Sequence, residues 1–313
     1  MRVVDSINQA LHELLEQDRG LHVLGEDILD PYGGAFKVTK GLSERFPERV
    51  LTTPISEACI VGLATGMAMR GKPTIVEVMF GDFLCLAMDQ LLNHASKLAW
   101  VYDDQISVPL IVRTPMGGRR GYGATHSQSL EKHFCGVPGL SVFAVHPYGD
   151  PGDVLRDAYH SGQPSLVIEN KTMYGLGVCS SEDLPRSASP DVAIVTYGGC
   201  VEPAVKASKK LALEEEIDVE VLPLSQLSPF PDSILEELGR RCSRVLAVEE
   251  GTIGWGFGSE CARALIGTGV AFDHLAAPRH PIPNSRAWEL AILPNADTIA
   301  EAVVHLFEDG GRS

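Results

Sequence analysis

Seven cysteines are present, yet none stands in a CxxC pair. That spacing marks many zinc and dithiol redox sites, so neither is indicated. Scattered thiols suit a reduced, cytoplasmic setting. Long apolar runs are also missing, since nothing approaches the roughly 20 residues of a membrane span. The opening segment, MRVVDSINQALHELLEQD, is charged throughout and has no apolar signal core. Positive charge is scarce: 26 basic residues face 41 acidic ones, for a formal net charge of −15. The densest basic pairs, Arg119-Arg120 and Lys209-Lys210, stand alone. A nucleic-acid partner calls for a basic stripe, so neither nucleic acid nor membrane is expected as a partner.

What remains is an α/β pattern. A length of 313 residues suits roughly two domains. Apolar runs at 21–25, 73–79, 109–114, 140–146 and 165–169 read as buried parallel strands. Segments of helical period separate them, including 57–69, one continuous helix over 82–99, and 151–161. A stretch rich in Gly, Ser and Pro, GLGVCSSEDLPRSASP, then breaks the alternation before it resumes at VAIVTYG. The expected organisation is a first parallel-sheet domain over 1–175, a linker over 176–190 and a second α/β domain over 191–313.

The stretch TPISEACIVGLATGMAMRG, residues 53–71, has one carboxylate at the mouth of a helix of small apolar residues. Ser56 can cap that helix, with Glu57 in its first turn. Position alone makes Glu57 an ordinary helix-start acid. Gly62 and Gly66 each cost about 0.5–1 kcal/mol against alanine inside a helix, which points to close packing. With no further charge before Arg70, the helix reads as buried all round, with a subunit contact at its edge. If that edge is dry, desolvation outweighs the helix end and the acid can share a proton with a ligand nitrogen.

These residues resemble a known family. The glutamate–x4–G–xxx–G run of 57–66 is similar to the pyrimidine-binding domain of thiamine diphosphate enzymes. LGEDI (24–28), TPISE (53–57), VEVMFGDF (76–83), DQLLNHASK (89–97), THSQS (125–129) and VEEGTIGWGFGSECA (248–262) resemble the beta subunit of the first component of 2-oxoacid dehydrogenases. The pyruvate, branched-chain and acetoin enzymes belong to that group. The implied fold is a pyrimidine-binding domain followed by a transketolase C-terminal-like domain.

The resemblance implies that Glu57 hydrogen-bonds the cofactor's pyrimidine ring and that Phe83 stacks on it. It places Glu26 and Ile55 near the cofactor rings, and His126 near the substrate and the incoming lipoyl group. The GDG-plus-asparagine motif that usually holds magnesium and diphosphate is missing, with only GDF at 81 and GDP at 149. Thiamine diphosphate and Mg2+ are therefore expected to be shared with an alpha subunit, in a tetramer of two alpha and two beta chains. A lipoyl acyltransferase core is the implied further partner and a small 2-oxoacid the implied substrate. No metal ligand is assigned to this chain. Relatives build a potassium site with Asp and Asn where this chain has Ser161 and Gln163. GWGFG (254–258) reads as a tight, close-packed turn and not a dinucleotide loop, because Asp273 follows only a weak strand signal. Two alternatives stay open: the C-terminal half of a split transketolase or carboligase, and a non-catalytic scaffold. Arg119 and Arg120 either meet an anion or are simply solvated.

Overall fold

The computed structural model describes residues 1–309. Six strands belong to its first half: β1 (His22–Gly25), β2 (Val50–Thr52), β3 (Thr74–Glu77), β4 (Leu110–Met116), β5 (Ser141–Ala144) and β6 (Ser165–Asn170). Five follow: β7 (Val192–Thr196), β8 (Val219–Pro223), β9 (Gln226–Ser228), β10 (Arg244–Thr252) and β11 (Ala271–Ala277). The first sheet runs β2-β1-β3-β4-β6-β5-β9 and the second β11-β10-β7-β8. Every pairing is parallel except β5 with β9.

Burial on both faces explains why these strands read as continuous apolar runs. Val23, Ile75, Ile111 and Val167 pack beneath the helices Val3–Gln17 and Pro151–His160. Leu24, Val76, Val112 and Leu166 face the other way, into a cluster that continues through Ala193, Val195, Leu235 and Val245 of the second half. One core cluster is thus shared between the two halves, while others belong to each half separately. Strand β9 lies beyond the Gly/Ser/Pro-rich stretch, yet it extends the first sheet by pairing Ser228 with Val142. The stretch itself is bonded down: Val3 N donates to Leu176 O at 2.9 Å and Val178 N to Met1 O at 2.9 Å.

Three local expectations need correction. The segment 82–99 is not one regular helix: it winds as a 3-10 turn (Gly81–Ala87), a π turn (Gln90–Ala95) and an α-helix (Ser96–Val101). The tight first turn presses Gly81 onto β4, where an added Cβ would come within 2.1 Å of Met116 Cγ. Asp273 lies in a true strand, β11, whose half-buried edge position explains the weak apolar signal. The stretch Arg286–Glu308, at mean hydropathy 1.3, is long and apolar enough to cross a membrane. It breaks at Leu293-Pro294 into two helices, and Ile299, Val303 and Leu306 of the second pack into the core.

Candidate cofactor and catalytic site

Neighbouring parallel strands deliver the site residues from their C-terminal ends, where ligands of such sheets bind. Glu26 follows β1, Phe83 follows β3, His126 lies on the loop after β4, and Lys171 directly follows β6. Glu57 opens the helix Glu57–Met69, which crosses from β2 to β3.

Glu26 and Glu57 come together and are buried, at 6% and 5% exposure. Burial, then the charge of Glu57, then that of Asp27 hold the Glu26 carboxyl above its usual range, against the Ser56 amide. Glu26 Oε1 has no hydrogen-bond partner. Leaving a buried oxygen unmatched costs about 1–3 kcal/mol. Two like charges in one dry crevice also favour retaining a proton. The pair is therefore suited to a ligand that brings a hydrogen-bond donor or a shared proton.

Ser56 does not cap the helix through its side chain, contrary to the sequence expectation. Its backbone amide interacts with the Glu26 carboxyl instead. Nor is the helix buried all round. Ile60, Val61, Ala64, Thr65 and Ala68 face the core, while Cys59, Leu63 and Gly66 are exposed. A Cβ at Gly66 would meet nothing within 4 Å. No close packing within the described residues accounts for this glycine. Ile55, two residues before Glu57, is 83% exposed.

Phe83 and His126 do meet, with ring centroids 5.2 Å apart and edge to face. Phe80 completes the cluster at 5.1 Å from His126. The motifs that carry these residues are also tied to each other, since Gln128 Nε2 donates to Asp82 Oδ1 at 2.8 Å. Thr125 Oγ1 lies 3.0 Å from His126 Nδ1. Half-burial leaves the imidazole open to a ligand on one side.

Several residues escaped the sequence reading. Lys171 is fully buried, and its Nζ donates to the His126 carbonyl at 2.6 Å. Burial lowers its pKa to about 8 despite attraction from Asp82, Glu250 and Glu289. Glu250 accepts from the Gly118 amide and pairs with Arg119, while Glu289 accepts from Gly121 N at 2.6 Å. Two second-half carboxylates thereby clamp the loop that carries His126. Arg113 joins Glu77 and Glu169 across adjacent strands, donating twice to Glu169 at 2.8 and 2.6 Å. Burial opposes the Arg113 charge, but Glu169 and then Glu77 outweigh it and raise its pKa. The available signal was a single charge inside an apolar strand, as in TIVE, LIVRTPM and SLVIEN.

GWGFG is a packed turn around a buried acid. Glu249 Oε1 accepts from Gly258 N at 2.9 Å and lies 2.9 Å from His274 Nε2. A Cβ at Gly258 would fall 2.4 Å from His274. A cavity of about 800 Å3 is lined by Glu131, Cys135, Leu227, Trp255 and Phe257 among others. None of Glu26, Glu57, Phe83 or His126 lines it, so volume alone does not mark the catalytic region.

Architecture and family models agree on the class: the transketolase pyrimidine binding domain matches residues 1–176 and the transketolase C-terminal domain residues 184–299. A solved chain described as a split gene transketolase, inactive beta4 tetramer, superposes with a TM-score of 0.81 at 20% identity, covering 98% of this chain and 99% of that one. Among curated proteins, the pyruvate dehydrogenase E1 component subunit beta-1 of Arabidopsis thaliana is 33% identical over 96% of this chain and 88% of its own length. The 2-oxoisovalerate dehydrogenase subunit beta of Bacillus subtilis is 33% identical over 98% and 99%. The acetoin:2,6-dichlorophenolindophenol oxidoreductase subunit beta of Cupriavidus necator is 32% identical over 97% of each. The chain belongs to the family of 2-oxoacid dehydrogenase E1 beta subunits, a thiamine diphosphate-dependent group.

Proposed function

We propose that this chain is the beta subunit of a 2-oxoacid dehydrogenase, active together with an alpha subunit in a tetramer of two of each. The observation that carries the reading is the buried Glu26–Glu57 pair with its unpartnered Glu26 oxygen. It fits one hydrogen-bonding edge of an aminopyrimidine, and the half-buried ring of Phe83 would offer a stacking face. Thiamine diphosphate, when bound, supplies the electron sink for losing carbon dioxide from a 2-oxoacid. Glu57 would hold a proton at the ring nitrogen, with Glu26 lining the crevice beside it. His126, fixed through its carbonyl by Lys171, would donate or accept a proton at the substrate or the acyl acceptor.

The open, smooth face of Glu57–Met69 supports closure of the crevice by the alpha chain. That partner would supply the diphosphate and Mg2+ ligands, and a lipoyl acyltransferase core would take the acyl group. The free state of all seven cysteines supports a reduced, cytoplasmic setting. Calorimetry with thiamine diphosphate and Mg2+ is expected to give weak or no binding to this chain alone and tight binding once the alpha chain is added. The reconstituted pair should release carbon dioxide from a 2-oxoacid. Tight binding by the lone chain would refute the shared site.

A further inference from the structure

The basic pair Arg119-Arg120 acquires a third member in the fold. Arg119, Arg120 and Arg286 line one groove of about 440 Å3, together with Tyr122, Thr172 and Leu290. No carboxylate is among its lining residues. The guanidinium groups of the pair are held in place: Arg119 pairs with Glu250 and donates to Pro294 O at 2.8 Å, and Arg120 donates to Lys171 O at 2.8 Å. Arg119 also sits in the left-handed region, at φ 69, a conformation that costs a non-glycine residue about 1–3 kcal/mol and recurs at ligand clamps. Arg286 is brought up by the second half, whose backbone presses on the loop; a Cβ at Gly121 would lie 3.3 Å from Arg286 Cβ.

Glu250 neutralises Arg119, but among the described residues neither Arg120 nor Arg286 has a carboxylate partner. In a chain of net charge −15, two unpaired guanidinium groups on one groove form an isolated positive site. Guanidinium forks match carboxylate and phosphate oxygens in pairs. The groove adjoins the candidate site. Tyr122 forms part of its wall and packs 6.1 Å from Phe80, whose ring lies 5.1 Å from His126. Lys171 links the two regions, accepting from Arg120 at its carbonyl and donating to the His126 carbonyl from its Nζ.

We propose that Arg120 and Arg286 form an anion subsite that receives a carboxylate or phosphate group at the far end of the substrate. The substrate assignment rests on the function proposed above; the anion site itself does not. Titration calorimetry on the folded full chain, with inorganic phosphate and with glutarate at constant ionic strength, tests the site without cofactor. Saturable binding is expected, weakened at least about tenfold by Arg120→Gln and by Arg286→Gln. Phosphate alone binding would identify a phosphate ester, and glutarate alone a second carboxylate. Binding that fails to saturate, or that persists in the folded double variant, would overturn the site.

In the reconstituted complex, kcat/KM is compared for a 2-oxoacid with a distal anion and its uncharged analogue of equal length. The ratio should fall about tenfold in Arg286→Gln, mainly through KM. An unchanged ratio would overturn the substrate assignment. A complex inert towards every 2-oxoacid, with phosphate binding intact, would sink the proposed function while upholding the site.

Discussion

Two groups of buried carboxylates lie along the same sheet, and they are treated in opposite ways. Glu77 and Glu169 flank Arg113, and Tyr174 donates to Glu169 at 2.6 Å. Arg113 pairs with both acids there, although burial still holds the Glu77 carboxyl above its usual range. Glu26 and Glu57 have no cation between them, and one Glu26 oxygen has no partner. Similar burial therefore serves two ends: the first group joins strands β3, β4 and β6, while the second leaves hydrogen-bonding capacity for something else. What separates a structural acid from a functional one is whether the fold itself satisfies it.

The largest expected effect probes the cation-bridged group. Arg113→Met leaves Glu77 and Glu169 buried without their cation and should destabilise the chain by about 3–5 kcal/mol in urea unfolding. A loss below about 1 kcal/mol would erase the contrast. Next comes Glu57→Gln in the reconstituted complex. Turnover should fall about 10²–10⁴-fold while unfolding stability moves by less than about 1 kcal/mol. Unchanged turnover would favour the scaffold alternative.

The smallest effect concerns Glu26. Its folded-state pKa is raised, so the unfolded chain ionises first as pH rises, and the wild type loses stability from about pH 4.3 up to the folded value. Glu26→Gln lacks that loss. Its melting temperature should exceed the wild type's near neutrality, with the gap closing below about pH 4. A gap that is constant with pH would mean that Glu26 is not held protonated by its surroundings.

Most strands of both sheets were legible because burial on two faces leaves an uninterrupted apolar run, as in Leu110–Met116, whereas the short edge strand Val50–Thr52 gave no such run. Glu57 was legible as a lone acid on a helix of small residues, and Phe83 and His126 through their motifs. The rest depended on distance along the chain. Arg119 looks solvated in sequence because its partner, Glu250, lies 131 residues away. Lys171 follows a strand and reads as loop, yet it is fully buried. Strand β9 is three residues long, too short for any periodic signal.

The outward side of Glu57–Met69 bears on how the cell makes this protein. Leu63 is 53% exposed beside Cys59 and the bare backbone of Gly66. A copy synthesised without a mate would present greasy surface to its neighbours and recruit chaperones or proteases. On the proposed closure of this face by the alpha chain, matched output of the two polypeptides would shield that surface as soon as it forms.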